Sequence, residues 1–444
     1  MPATPPPTTI FPTEERFVNV VREAVNGTIP AAPYGTTIPE VGLEPEDKPI
    51  WLLDDSLRGS MGDIYDMLQG PIYADVTLPA SPVYVDMIGH AIYNAMGDYS
   101  QSCSGTPVAT TTLNGAVAIG ATSVVVTSAT SFATGQWIQI YATGSTGPAE
   151  IVQVGTYTSG TTIPLAAATP IRFPHVTGAA VNITAVTNGT YQHAFALLNS
   201  GYLGATNYQN FGQPPTHTWT DRTQVPTFGG SPGYSRQYAY SCFQNLTFTG
   251  NAEKLLEWNG SFASYPGQIA SSLATASVSS VRAFPDFNCT FQLATTSALA
   301  PVYDIVEWQV VLTRQLKVQF TNDGMQNPYV IGRGKLGVSG KLTFGPATDE
   351  TALLYMLNNT QPQLELLVTN NLATTNPLYQ ALQIDMLYCD FDTSKINSSG
   401  VLFGYDVGFK SHHTAQTRNS IACNGWSGGN SACKITVSNA VPIF

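Results

Sequence analysis

The segment Lys335-Leu-Gly-Val-Ser-Gly-Lys-Leu-Thr-Phe344 sets Leu336, Val338, Leu342 and Phe344 on one side of an extended chain. Lys335, Ser339, Lys341 and Thr343 fall on the other. Period two with one apolar face is the pattern of a half-buried antiparallel strand. Gly332-Arg333-Gly334 ahead of it and Gly340-Lys341 within it invite a phosphate-loop reading, but the spacing fails. Lys335 stands where the first glycine of such a loop belongs, and Leu342 replaces its Ser or Thr. The glycines then serve close backbone approach.

Working outward, Leu316, Val318 and Phe320 alternate with polar residues, and so do Val401, Phe403, Tyr405, Val407 and Phe409. The chain is therefore expected to be mainly β with a few helices. A pattern of strand, helix and hairpin occurs twice. In 50–275, strand Ile72–Leu78 leads to a helix opened by Ser81-Pro82 and closed near Gly97. The hairpin is Phe243–Phe248 with Leu255–Phe262. In 281–410, strand Leu336–Phe344 leads to a helix opened at Thr348-Asp349-Glu350 and closed near Asn358. The hairpin is Leu382–Tyr388 with Val401–Phe409. Ser and Thr cap helices and Pro suits the first helical position. A hairpin over 302–321 has no counterpart in the first half.

The pattern divides the chain as follows. Residues 1–49 form a proline-rich extended arm with one helix. Thr13 is its N-cap, Glu14 and Glu15 its first turn and Gly27 its stop, with Phe17, Val20, Val21 and Ala24 as an apolar face. Residues 50–105 and 187–275 form a first, discontinuous β domain, and 276–410 a second. Residues 411–444 are a C-terminal arm or strand. Between the first helix and the following strand lies an inserted small β domain, 106–186. Its short strands are expected at Ser123–Thr127, Trp137–Tyr141, Glu150–Val154, Thr161–Leu165 and Val181–Thr184. Glu150 and Arg172 are its only charges.

Composition excludes several classes. Charged residues make up 11% of the chain, against about 25% in an average domain. Lys and Arg number 18 and Asp and Glu 29, a net charge of −11, which is wrong for a sequence-reading nucleic-acid binder. With 43% hydrophobic and 10% aromatic residues it is not a disordered acidic chain. Depleted charge suits a surface hidden in partners. No apolar run approaches the ~20 residues of a membrane-spanning helix. The start lacks the layout of a signal peptide, so a cytosolic product is expected. Cys103, Cys242, Cys289, Cys389, Cys423 and Cys433 show no C-x-x-C spacing. Cys423 and Cys433 bracket a Gly- and Ser-rich turn and are expected to be reduced.

The chemistry-bearing candidates read as structural. No G-x-S-x-G elbow and no H-E-x-x-H is present. The His412-His413 pair would point to opposite faces of a strand. Asp390-Phe-Asp392 resembles half a calcium loop but continues Thr393-Ser394-Lys395, which reads as a turn. Asp349 and Glu350 complement a helix dipole. Asp54-Asp55 and Glu44, Glu46 and Asp47 are an acidic patch or solvated loops. The expectation is no catalytic, cofactor-binding or metal-binding residue, and no enzyme.

The segment Arg314 to Pro362, with Gly332-Arg333-Gly334-Lys335-Leu336 and Gly340-Lys341-Leu342-Thr343-Phe344 ahead of the Asp349-Glu350 helix, resembles the tail tube proteins of long-tailed bacteriophages. So do Tyr238–Phe262 and the block 70–97. The insertion is similar to β modules inside phage tail proteins, on Gly120-Ala121-Thr122-Ser123, Phe132-x-x-Gly135 and Phe173-x-His175-x-x-Gly178-Ala179. The resemblance implies tandem tube β-sandwich or barrel domains, each with a flanking helix. It implies a structural virion protein, a homo-oligomer that stacks as rings into a hollow tube and conducts DNA during ejection. Two tube folds per chain imply a trimer with pseudo-sixfold symmetry; one would imply a hexamer. The implied partners are further copies, tape measure, tail terminator and distal tail proteins, and DNA passing without specific binding, with no membrane. The implied location is the virion tail, assembled in the host cytoplasm. The alternatives are another virion β-protein (capsid, decoration or receptor-binding subunit) and a glycan-active β-sandwich enzyme.

Overall fold

A computed structural model of the chain describes residues 16–444 except 24, 31–35, 39–41, 57–63, 104–106, 168, 185–190, 199–212, 224–234, 270–280, 295–298, 346–350, 371–379, 398–403, 413–430 and 442–443. The first elements are β1 (Arg16–Arg22), β2 (Thr36–Ile38), β3 (Glu44–Asp54), β4 (Asp66–Pro82), α1 (Ile88–Met96) and β5 (Gly97–Cys103). Six short strands follow: β6 (Ala109–Thr112), β7 (Ser123–Val125), β8 (Trp137–Thr143), β9 (Thr146–Gln153), β10 (Thr162–Pro164) and β11 (Ala180–Ile183). Then come β12 (Tyr191–Leu197), β13 (His217–Thr223), β14 (Ser235–Asn251), β15 (Glu257–Ser264), β16 (Gln268–Ile269), β17 (Cys289–Ala294) and β18 (Ala300–Val302). The last are β19 (Ile305–Gln319), β20 (Val330–Phe344), α2 (Thr351–Leu357), β21 (Gln363–Thr369), β22 (Ala381–Met386), β23 (Tyr388–Asn397), β24 (Gly404–His412) and β25 (Cys433–Asn439). The fold is mainly β, with several antiparallel sheets.

Eight strands run in the hydrogen-bonded order β3-β4-β15-β14-β19-β20-β24-β23. The sheet branches at β14, whose first half pairs instead with β13 and β16; β13 carries β1, and β1 carries β2. A second sheet of seven strands has the order β18-β17-β21-β22-β25-β12-β5. One apolar core joins the two, from Val76, Leu246 and Leu342 of the first to Phe195, Ile384 and Ile435 of the second. All of α1 is buried in it. The helix stops at Gly97, whose φ of 91° favours glycine and whose Cβ would stand 2.9 Å from Pro214.

Two runs of elements share one connectivity. In the first, β3 pairs with β4, α1 follows, β5 pairs with β12, and the β14–β15 hairpin sets β15 beside β4. In the second, β19 pairs with β20, α2 follows, β21 pairs with β22, and the β23–β24 hairpin sets β24 beside β20. The runs meet where β14 pairs with β19, from Asn245 opposite Thr313 to Asn251 opposite Glu307. β25 joins them in the second sheet, between β22 and β12, so the end of the chain supplies an internal strand rather than an arm.

Several local expectations are corrected. The helix expected over 13–27 is strand β1: Val18 and Val20 are buried, and pairing with both β2 and β13 overrides the helical spacing of Phe17, Val20, Val21 and Ala24. The expected arm also holds β3. Ser81 opens no helix but pairs with Trp258, and the helix begins at Ile88. The hairpin expected over 302–321 is the single strand β19, which pairs with β20 as β3 does with β4. The partner of β24 is β23 rather than 382–388, because Leu382, Ile384 and Met386 are drawn into the second sheet. Asp390-Phe-Asp392 lies in β23, not in a turn. The insertion follows β5, not α1 directly. The Thr13 cap, the Thr348-Asp349-Glu350 helix start, His413 and Cys423 lie outside the described residues, and Cys433 is a free, buried thiol.

Residues 109–183 build their own four-stranded sheet, β6-β11-β8-β9, a β7–β10 pair and a separate apolar core of Val124, Ile138, Ile140, Val152 and Ile163. This unit is pinned to β5 by side chains. Ser100 Oγ and Gln101 Oε1 accept the N–H groups of Ala149 and Ile151, at 3.1 and 2.8 Å. Both of its charges are buried there. Glu150 accepts from the Arg172 and Phe173 N–H groups and sits 2.6 Å from His175 Nε2. Arg172 reaches out to Gln101 Oε1 at 3.2 Å.

β14 bends at Tyr240, which takes a φ of 57° where the ladder to β13 slips between His217 and Trp219. The bend takes the Tyr240 N–H out of the ladder, and the buried carboxylate of Glu23 accepts it at 2.8 Å. The same carboxylate accepts from Thr216, Thr218 and the Gly27 N–H. Burial raises its pKa and these hydrogen bonds oppose the rise. Glu23→Ala strands buried donors at about 1–3 kcal/mol each. Urea unfolding should show a loss of several kcal/mol, on the scale of those donors summed, and a smaller loss for Glu23→Gln, which keeps one acceptor oxygen.

His90, His193 and His217 are buried around α1 and Phe444. Burial pulls His90 down to about 3 and His193 to about 4, and holds His217 well below the usual value. The unfolded chain protonates these rings near 6.5 and the folded chain does not. They therefore withdraw stability as pH falls below about 6.5. Asp286, whose carboxyl burial lifts to about 6, works in the opposite sense, as do Glu23, Glu365 and Asp385, which burial also raises. These carboxyls begin from unfolded values of about 4, so the histidines dominate the upper part of the range. The urea midpoint is expected to fall between pH 7 and pH 5, and to fall less steeply in His90→Gln.

Candidate assembly surface

One face of the eight-strand sheet is core. Trp308, Val310, Leu312, Val338 and Leu342 are buried on it. The register then fixes what the other face carries, because directly opposed residues share a face. Across its middle run Thr249, Gln309, Lys341 and Gly408, and beside them Thr247, Val311, Ser339 and Lys410. Asn245, Thr313 and Ser261 extend the same surface. This open face is mostly uncharged and polar.

Its charges are acidic in balance. Glu44, Glu46 and Asp75 lie at the β3–β4 end, Glu257 and Glu307 near the centre, and Asp390 and Asp406 at the β23–β24 end. Three lysines on this face are tied to carboxylates, and Lys395, opposite Asp406, adds a further exposed positive charge. Lys48 Nζ lies 2.6 Å from Asp75 and 3.4 Å from Glu46, at an open hollow of about 500 Å³. Lys341 lies 3.1 Å from Asp406, and Lys410 lies 2.8 Å from Asp392. The hydrogen bond to Asp75 raises the Lys48 pKa, and that to Asp392 raises the Lys410 pKa. Such exposed pairs add little stability. They do neutralise cations that would otherwise hold a phosphate.

The two ends of this strand order are β3 and β23. An open edge offers unpaired N–H and C=O groups to another chain. Pro45 and Pro49 give β3 the composition of an edge strand, since neither can donate to a ladder. On β23, Asp392, Thr393, Lys395 and Ile396 are exposed. The β3–β4 hairpin then runs on past the sheet as a ribbon of exposed apolar side chains, including Trp51, Leu52, Leu53 and Leu68.

The candidate residues read from the sequence are dispersed over this frame. Gly332, Gly334 and Gly340 lie in β20; a Cβ on Gly340 would meet the Gln309 carbonyl, so close approach is the role of that glycine, whereas a Cβ on Gly332 would make only ordinary contact with the Lys317 carbonyl. His412 ends β24, stacks on Tyr388 and lies 2.8 Å from Asp390. Glu44, Glu46 and Asp47 lie on β3, and Asp54 ends it. Among the described residues no three of His, Cys, Asp or Glu are grouped to hold a metal ion. No described helix is long and apolar enough to cross a membrane. The apolar run Ile50-Trp51-Leu52-Leu53 carries no sequence signal of exposure and becomes readable as a surface only once its pairing is known. No protein-family model matches the chain, and no curated protein matches it.

If the open face repels phosphate, reversing its central carboxylates should make it hold DNA. The double variant Glu257→Lys and Glu307→Lys is expected to bind duplex DNA at low salt in fluorescence polarisation, where the native chain does not. The log–log salt slope should grow by about one per new phosphate contact.

Proposed function

We propose that the chain is a structural subunit of a long-tailed bacteriophage tail tube. Copies close into rings, and the rings stack into a hollow conduit for the DNA genome during ejection. One observation carries this reading: the shared connectivity occurs twice in tandem, and its halves join edge to edge through β14 and β19. In that order β3 stands to the first run as β19 stands to the second, and β23 stands as β14 does. The junction inside one chain is thus a template for a junction between chains, with β23 of one copy beside β3 of the next. A contact of this kind is heterologous, so it closes a ring or runs on as a helix. Two tube units per chain make the closed ring a trimer with pseudo-sixfold symmetry.

The charge pattern supports the same reading. A polar, net acidic face with three of its lysines tied to carboxylates suits a lumen through which DNA slides without specific binding. The insertion is pinned to β5, in the sheet behind that face, which supports an outward position. In this reading the partners are further copies and the other tail proteins, the location is the virion tail after assembly in the host cytoplasm, and no residue does catalysis.

Electron microscopy of the concentrated protein tests the proposal. Hollow rings or tubes with threefold averages and six similar wall lobes are the expected result. Closed shells, or a compact trimer that never stacks, would point instead to a capsid or receptor-binding subunit.

A further inference from the structure

Among the described residues, the β3–β4 ribbon carries a row of exposed apolar side chains. Trp51 is 47% exposed, Leu52 53%, Leu53 55% and Leu68 60%, and Leu52 stands opposite Leu68 in the ladder. Apolar residues occupy both faces of the ribbon, because Trp51, Leu52 and Leu53 are consecutive. A lone two-stranded ribbon is at best marginally stable in water. An exposed apolar patch of this kind marks an interaction site.

The second run shows what such a ribbon rests on. The β19–β20 hairpin, its counterpart in the shared connectivity, bends back onto β4 of the first run. The Gln326 carbonyl accepts the Ile72 N–H at 2.9 Å, and the Phe320 ring lies 6.4 Å from that of Tyr73. The hairpin of one unit therefore rests on the root of the preceding unit's hairpin. The β3–β4 hairpin belongs to the first unit, and the described elements ahead of it, β1 and β2, offer it no such root.

We propose that this ribbon docks on a second copy of the chain, on the stretch of β20 around Leu336. That stretch stands about as far ahead of α2 as Ile72 stands ahead of α1. The proposal rests on the ring reading above and gives it a specific clasp. The clasp answers a weakness of the strand edge, since Pro45 and Pro49 prevent a full ladder along β3. Apolar burial on the ribbon supplies adhesion that the hydrogen bonds of that edge cannot.

The test uses the full chain and two readouts. A photo-crosslinking amino acid replaces Leu53, and a mixture of isotope-labelled and unlabelled protein identifies intermolecular products by mass spectrometry. The expected product joins residue 53 of one copy to a peptide within 330–344 of another. Separately, the double variant Leu52→Glu and Leu68→Glu is expected to keep the native circular dichroism and melting temperature, because both side chains are already in water. Its ring population by electron microscopy should fall by at least about tenfold, as for loss of interface anchors. Cross-links confined to ribbon–ribbon contacts or to the insertion would overturn the proposal, because the occupant would be another surface. Undiminished rings in the double variant would overturn it while leaving the ring reading intact. A chain that gives no intermolecular cross-link overturns it whatever its polymer state, and the presence or absence of rings then decides the ring reading separately.

Discussion

The architecture depends on one strand serving both branches of a sheet, and that depends on a buried carboxylate. β14 contributes its first half to the ladder with β13 and its second half to the ladders with β15 and β19. A strand can change partners this way only by bending. Bending takes backbone groups out of a ladder and leaves them without partners in a dry interior. Glu23 supplies the missing acceptor at Tyr240, and the Thr216 and Thr218 hydroxyls and the Gly27 N–H fill the rest of its capacity. The left-handed conformation at Tyr240 costs of order 1–3 kcal/mol. It persists because strands on both sides over-determine it. Without the bend, the second half of β14 would not lie beside β19, and the two runs of the chain would meet only through β25 in the second sheet.

The same geometry explains the separation of charge. The face of the eight-strand sheet toward the core can hold no ion without a partner. Charges therefore collect on the open face or in enclosed clusters such as Glu150 with Arg172 and His175. On the open face the spacing of opposed strands brings Lys341 to Asp406 and Lys410 to Asp392. The balance that remains is acidic. The balance over the whole chain, 18 basic against 29 acidic side chains, has the same sign as the balance on that face.

The legibility of the fold in the sequence follows the range of the forces involved. β20 is legible because one face is core and the other is solvent, so its alternation survives in the residue order. The short strands of the insertion are legible for the same reason, with Gly, Ser and Thr marking each turn. β1 is not. Phe17, Val20, Val21 and Ala24 satisfy a helical spacing, and what decides against it is pairing with β13, where Arg16 meets Asp221 across 205 residues of sequence. Ser81 has the look of a helix cap because capping chemistry is local, whereas its partner Trp258 is remote. Of the candidate surface, the acidic residues of β3 are visible in the sequence as types but not as a face. Sharing a face is a matter of register, and the register comes from strands far apart in the chain.

The sheet edges bring these constraints together. A chain of this size can bury its apolar residues, yet this one leaves a ribbon of Trp51, Leu52, Leu53 and Leu68 in water beside a strand that two prolines have blunted. For a monomer these features work against each other. The prolines protect an edge from indiscriminate pairing, while the ribbon beside it invites association. For a subunit that must join one neighbour in one register they are complementary. A fully open edge would accept any extended chain, and a ribbon alone would adhere to any apolar surface. An edge that only partly pairs, together with a ribbon that needs a matching root, selects another copy of the same protein.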